Sequence, residues 1–210
     1  MTHEFDKAYW ETHWQEAESG AAIPPNPWLV AETADLAPGT ALDAGCGEGA
    51  EAVWLAAQGW RVTAADISVE VLARAAARTG DAGAGIDWVE ADLGTWTPDT
   101  AYDLVTTHYA HPAIPQLAFY ARIAEWVAPG GTLLVVGHLA SAEAGHGHGH
   151  GHGHGHQPPA EATATAERVA ALLDADRWEV VTAGEPTRRL TDRGSGAATL
   201  HDVVVRARRK

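Results

Sequence analysis

ALDAGCGEGAEAVWL, residues 41–55, holds the transition that decides the fold. An apolar run ends on Asp43, glycines follow at alternate positions (Gly45, Gly47 and Gly49), and an alanine-rich stretch then continues to Gly59. This pattern reads as a buried strand, a tight turn and a helix closed by glycine. Without a Cβ the turn can fold sharply and let a ligand approach the backbone within van der Waals distance.

Outward from that turn, strands and helices alternate. WRVTAAD (60–66), GIDWVEAD (85–92), YDLVTTH (102–108) and TLLVVGH (132–138) read as further strands. SVEVLARAAART (68–79) reads as a helix capped by Ser68, and 114–131 as one stopped by Pro129-Gly130-Gly131. PWLVAETADL (27–36) is a helix with Asn26 as N-cap and Pro27 as its first residue. Toward the C-terminus, TATAERVAALLDAD (163–176) reads as a helix, and WEVVTAG (178–184) and TLHDVVVRARR (199–209) as two strands of a hairpin. Such alternation implies an α/β fold with a mostly parallel, doubly wound sheet, helices on both faces and one antiparallel member in the last pair.

Composition narrows the function. The 210 residues fit a single domain, 1–210. A net charge of −14 repels a phosphate backbone, so nucleic acid is not the expected partner and a small molecule is. No apolar run reaches the roughly 20 residues that span a bilayer, so no membrane partner is expected. The N-terminus MTHEFDKAYWETHW is acidic and aromatic, unlike a secretory leader. The single Cys46 has no disulfide partner, which agrees with a reducing cytoplasm. It sits where a small side chain is wanted, and its expected part is packing. Oligomeric state is not legible.

The turn alone is ambiguous, because Gly45-x-Gly47-x-x-Ala50 also satisfies a loose dinucleotide fingerprint. Three acids decide between the alternatives. Asp43 puts a carboxylate just ahead of the turn, where pyrophosphate would be repelled. Asp66 ends the second strand and can accept both hydroxyls of a ribose. Asp92 follows the third strand, where it can accept from an exocyclic adenine amine. Together they suit a ligand that is cationic and free of phosphate.

LDAGCGEG, VTAADIS, EADL and WVAPGGTLLVV resemble, in that order, the motifs of class I S-adenosylmethionine-dependent methyltransferases over residues 26–207. The resemblance implies a seven-stranded sheet whose last strand is antiparallel, and S-adenosyl-L-methionine as cofactor. It places the Gly45-Cys46-Gly47 backbone beneath the methionine and ribose portions and Asp66 on the ribose hydroxyls. It also sets Ile67 against the adenine, Asp92 and Leu93 at its edge, and Thr107 on the floor. YWETHW, PPNPWL and AVWLAAQGWRVTAADIS are further similar to small tellurite-resistance and thiopurine-type methyltransferases. That likeness implies an aromatic N-terminal lid, residues 1–25, and a soft thiol, chalcogen or metalloid acceptor. A hydroxyl or amine acceptor is the second expectation.

A hydroxyl acceptor would need a general base of pKa near 7, whereas a thiol ionises with little help. THYAHP, after the fourth strand, supplies His108, His111 and Tyr109 as candidates, and His138 ends the fifth strand. Six histidines (His146, His148, His150, His152, His154 and His156) alternate with glycine. That polar repeat has nothing to bury, so residues 140–160 are expected to be disordered, with imidazoles suited to zinc, nickel or copper. Two rivals remain: a nicotinamide-dependent oxidoreductase on the same sheet, and a metal-binding module that keeps the fold.

Overall fold

A computed structural model describes residues 5–17, 24–83, 85–139, 162–192 and 196–210. The elements, in chain order, are α1 (Lys7–Glu16), α2 (Pro27–Glu32), β1 (Thr40–Ala44), α3 (Ala50–Ala57), β2 (Arg61–Asp66), α4 (Val69–Thr79), β3 (Ile86–Glu90), β4 (Tyr102–His108) and α5 (Gln116–Ala124). They continue with β5 (Val127–Leu139), β6 (Thr163–Ala164), α6 (Ala166–Ala170), β7 (Trp178–Gly184), β8 (Thr187–Asp192) and β9 (Gly196–Arg209). The main sheet runs β3-β2-β1-β4-β5-β9-β7, with β6 paired to β5 and β8 to β9. β9 is antiparallel to both its neighbours, β5 and β7. The expected doubly wound sheet with a last antiparallel strand is therefore present, and the two short strands are additions to it.

Continuous apolar runs form the central strands because both faces are covered. Along β5, Leu133 and Val135 pack into the core shared with α5 and α6, while Leu134 and Val136 pack into the core shared with α2, α3 and α4. Val203, Val204 and Val205 of β9 alternate in the same way.

Local chemistry sets the helix ends. The Asn26 side chain accepts from the Trp28 amide ahead of Pro27, and the Ser68 hydroxyl accepts from the Val71 amide. Two expectations need correction. The helix read over 114–131 ends at Ala124, because Val127 already pairs with Tyr102 and β5 carries the chain through Pro129-Gly130-Gly131. The helix read over 163–176 is only α6, because Thr163 and Ala164 pair with His138 and Leu139. The expected hairpin acquires β8, whose pairing with the start of β9 turns the connection back on itself. The histidine tract, 145–156, lies outside the described residues.

Strand order reverses at β1, which stands between β2 on one side and β4 on the other. Ligands of open α/β sheets bind beyond the C-terminal strand ends at such a point. The site is found there.

Candidate active site

A cavity of about 350 Å³ opens between the ends of β1, β2 and β4. Its wall includes Gly45, Gly47, Asp66, Asp92, His108 and His111, with Cys46, Ile67 and Leu93 beside them. The turn after β1 is built from left-handed glycines. Gly45 has φ +83°, and a Cβ there would overlap the methyl of Ala110. Gly49 has φ +80°, and a Cβ would lie 2.5 Å from the Trp88 ring. Gly49 therefore shapes the turn against β3 and does not line the cavity. Gly47 is the glycine that faces the opening, with the Trp14 ring 3.5 Å from where its Cβ would stand.

Four carboxylates gather around this turn. Asp66 Oδ2 accepts the Gly47 amide at 2.9 Å and Oδ1 accepts the Ser68 amide at 3.0 Å, so the end of β2 holds the glycine turn in place. Burial raises its pKa, and those amides oppose the rise. Asp92 is exposed and forms a local turn, accepting the Gly94 amide at 2.8 Å. Asp43 lies beneath the cavity wall, 1% exposed, with Oδ2 lacking any hydrogen-bond partner. Burial first, then the charges of Glu51 and Asp66, push its carboxyl well above the usual range. Glu51 was not anticipated. It lines the cavity from the first turn of α3 and accepts the Asn26 amide at 3.0 Å. An acid one residue inside the helix that follows the glycines was the signal available.

Cys46 is buried in the apolar layer, and burial pushes its thiol well up, which fits packing rather than nucleophilic chemistry. Thr107 does not reach the wall. Its hydroxyl donates to the Ala44 carbonyl at 2.8 Å and stitches β4 to the end of β1.

The end of β4, the loop after it and the end of β5 carry the base candidates, and their surroundings differ. Tyr109 adopts φ +56°, and its hydroxyl donates to Asp202 Oδ1 at 2.7 Å while accepting from Arg188 at 3.0 Å. Burial, followed by the Asp202 bond, lifts its pKa to about 12. Such a phenol is a poor base at neutral pH. His108 has both ring nitrogens shut away without partners, and burial lowers its pKa. His111 lies on the wall with Nδ1 3.2 Å from Gln116 Oε1, and burial lowers its pKa as well. His138 stacks on His111 with ring centroids 5.4 Å apart, and burial brings its pKa to about 4.

Helix α1 covers the opening. Trp10 Nε1 donates to the His111 carbonyl at 3.1 Å, and Phe5 and Trp14 join Trp10 on the wall. Glu11 reaches the start of α4, accepting from the Ser68 hydroxyl at 3.0 Å and the Val69 amide at 2.9 Å. Lys7 pairs with Glu90 beside it. Among the described residues no three His, Cys, Asp or Glu side chains are grouped to hold a metal ion, and no helix is long and apolar enough to cross a membrane.

Residues 41–131, from β1 to the start of β5, match the methyltransferase domain family. Over that segment the chain is similar to methyltransferase domains. Trans-aconitate 2-methyltransferase of Streptomyces avermitilis is 38% identical over 104 residues, covering 46% of this chain and 38% of that one. Thiocyanate methyltransferase 1 of Arabidopsis thaliana is 32% identical over 136 residues, covering 60% of each chain. This chain thus spans less than two thirds of either relative. The N-methyltransferase NodS of Bradyrhizobium japonicum WM9, solved in complex with S-adenosyl-L-homocysteine, superposes with a TM-score of 0.67 at 17% identity, covering 97% of this chain and 98% of that one. At that identity the likeness concerns the fold.

Proposed function

We propose that this chain transfers a methyl group from S-adenosylmethionine to a small molecule, with a soft nucleophile such as a thiol or chalcogen as acceptor. The observation that carries the reading is the wall of Glu51, Asp66 and Asp92 beside the bare Gly47 backbone, with no Lys or Arg among the described lining residues. That wall suits a cationic ligand and would repel the pyrophosphate of a nicotinamide dinucleotide. A volume of about 350 Å³ lies within the roughly 300–1,000 Å³ of small-molecule pockets.

In this reading Asp66 and Asp92 hold the nucleoside end, and Gly47 allows close approach of the methionine end. When bound, the cofactor supplies an electrophilic methyl on a positively charged sulfur. The protein's own task is then alignment, which contributes up to about 7–11 kcal/mol in well-oriented systems. Phe5, Trp10 and Trp14 exclude water from the acceptor's side, which favours attack that disperses charge. The name of the thiocyanate relative supports a sulfur acceptor. A hydroxyl or amine acceptor is the second choice, and His111 is the base a hydroxyl would use. The histidine tract is a separate proposal: its imidazoles would take up zinc, nickel or copper.

Equilibrium dialysis of the intact chain against labelled S-adenosylmethionine and, separately, a nicotinamide dinucleotide tests the reading. Retention of the first alone supports it, and retention of the second alone would replace it with an oxidoreductase.

A further inference from the structure

Gln116, the first residue of α5, is 5% exposed, and two of its side-chain contacts fix each other. Its amide nitrogen donates to the Ala110 carbonyl at 2.9 Å, and its amide oxygen lies 3.2 Å from His111 Nδ1. A backbone carbonyl only accepts, so the amide nitrogen must face Ala110 and the amide oxygen must face His111. That oxygen also only accepts, so Nδ1 must carry the proton. The lone pair of the neutral ring is then on Nε2, which has no protein partner among the described residues and is not sealed off as the His108 nitrogens are.

The charges around this ring point to one class of acceptor. The described wall carries Glu51, Asp66 and Asp92 and no cation. The guanidinium of Arg188 of β8, behind Tyr109, is bound to Asp202 at 2.8 Å and to the Tyr109 hydroxyl at 3.0 Å. An anion entering here would meet carboxylates and a lone pair with no compensating charge from the protein. A neutral X–H group would find an acceptor on Nε2 and aromatic rings from α1 for its apolar body.

We infer that Gln116 holds His111 in the Nδ1–H form, and that the methyl acceptor is a neutral protic molecule, a thiol or phenol, whose X–H donates to His111 Nε2. This rests on the methyl-transfer reading above and narrows it. As the new X–CH₃ bond forms, the X–H proton passes to Nε2. The carbon–sulfur bond breaks with its electron pair left on sulfur, and the imidazolium returns its proton to water. His111 is the catalytic residue and Gln116 the positioning residue. The titratable neighbour of the ring is His138 of β5, backed by Arg188 of β8 and Asp202 of β9, with Phe5 against the ring and Trp10 of α1 bonded to the His111 carbonyl.

The experiment uses the full chain with ¹⁵N-labelled histidine and added S-adenosylhomocysteine, with nitrogen shifts reporting the His111 tautomer. Benzyl mercaptan, phenol and thiocyanate are then offered as acceptors at pH 7 with labelled S-adenosylmethionine. The inference expects a single Nδ1–H tautomer and methylation of a protic acceptor at least about 100-fold faster than thiocyanate, at the lower end of general-base effects. Gln116→Glu should move the acidic limb of that rate to higher pH by about 1–3 units, because a carboxylate favours the imidazolium. Gln116→Met should lower kcat without changing S-adenosylhomocysteine affinity. An Nε2–H tautomer, or thiocyanate methylated faster than both protic acceptors, overturns the inference. Absence of any S-adenosylhomocysteine binding while the Nδ1–H tautomer persists would instead sink the methyl-transfer reading.

Discussion

The Tyr109 hydroxyl donates to Asp202 Oδ1 across 2.7 Å, tying the loop after β4 to the antiparallel strand β9. Asp202 is fully buried and also accepts from Trp28 Nε1 and Arg188 Nε, each at 2.8 Å. The left-handed backbone at Tyr109, which costs about 1–2 kcal/mol for a non-glycine residue, is held by this network. The same loop brings His111 to the cavity wall. A phenol committed to a buried carboxylate is an anchor and not a base.

Tyr109→Phe should therefore cost stability more than chemistry. It removes the bond to Asp202 together with those accepted from Arg188 and Asn26, a loss of at least about 1.5–3 kcal/mol, the range for one bond to a charged group. Denaturant unfolding should register that loss, while methyl transfer at neutral pH falls less than about tenfold. A rate collapse with unchanged stability would return Tyr109 to the role of base.

The glycine turn gives an ordered series. Gly45→Ala and Gly49→Ala combine a positive φ with a steric clash, so each should destabilise by about 2–4 kcal/mol. Gly130→Ala, at φ +81° with nothing within 4 Å, should cost only the strain, about 1–2 kcal/mol. Thermal unfolding of the three variants checks the order. Equal losses at all three sites would mean that the packing against Ala110 and Trp88 does not hold in solution.

Burial of Asp43 makes stability depend on pH. Its folded pKa is raised above the unfolded value of 3.8, so the fold favours the protonated form. Its contribution is complete below pH 3.8 and is lost as pH rises through the folded pKa. Asp43→Asn keeps an acceptor for the Ala52 amide and removes this titration. The variant should lose less stability than the parent as pH rises from 3.8 through the raised folded pKa. Parallel stability–pH curves for the two proteins would refute the assignment.

Much of this was legible in the sequence because the signals are local. Alternating strand and helix periods, the Asn26-Pro27 and Ser68 caps and the glycine turn all act within a few residues. Asp66 and Asp92 could be placed because one ends and the other follows a strand of a parallel sheet. Gln116, Arg188 and Asp202 could not, since they reach the site through contacts between residues 79 and 93 positions apart or through the far side of a loop. Thr107 sits at the end of β4 as expected, but its side chain turns toward Ala44, and period-two alternation alone cannot say which face lines a cavity. The helix over 163–176 was overridden by tertiary structure, because pairing of Thr163 and Ala164 with β5 uses backbone groups the helix would need.

The histidine tract provides a test of independence. Leu139 and Ala164, which flank the 140–161 segment, are already neighbours in the sheet, so shortening the connection changes closure entropy only logarithmically. Deleting residues 145–156 should leave S-adenosylhomocysteine affinity unchanged within about 0.5 kcal/mol and abolish retention on a nickel column. Loss of cofactor affinity in the deleted protein would tie the tract to the site.

Calorimetric titration of the intact chain and of Asp66→Ala with S-adenosylhomocysteine tests the central claim most directly. The account predicts one site per chain, weakened in the variant by about 1.5–3 kcal/mol because the nucleoside end loses its charged acceptor. Since burial raises the Asp66 pKa, its charge is complete only above that raised value. Affinity for the cationic S-adenosylmethionine should therefore fall as pH drops through it, and more steeply than affinity for S-adenosylhomocysteine. No binding by the intact chain, or equal affinity in the two proteins, would contradict the account.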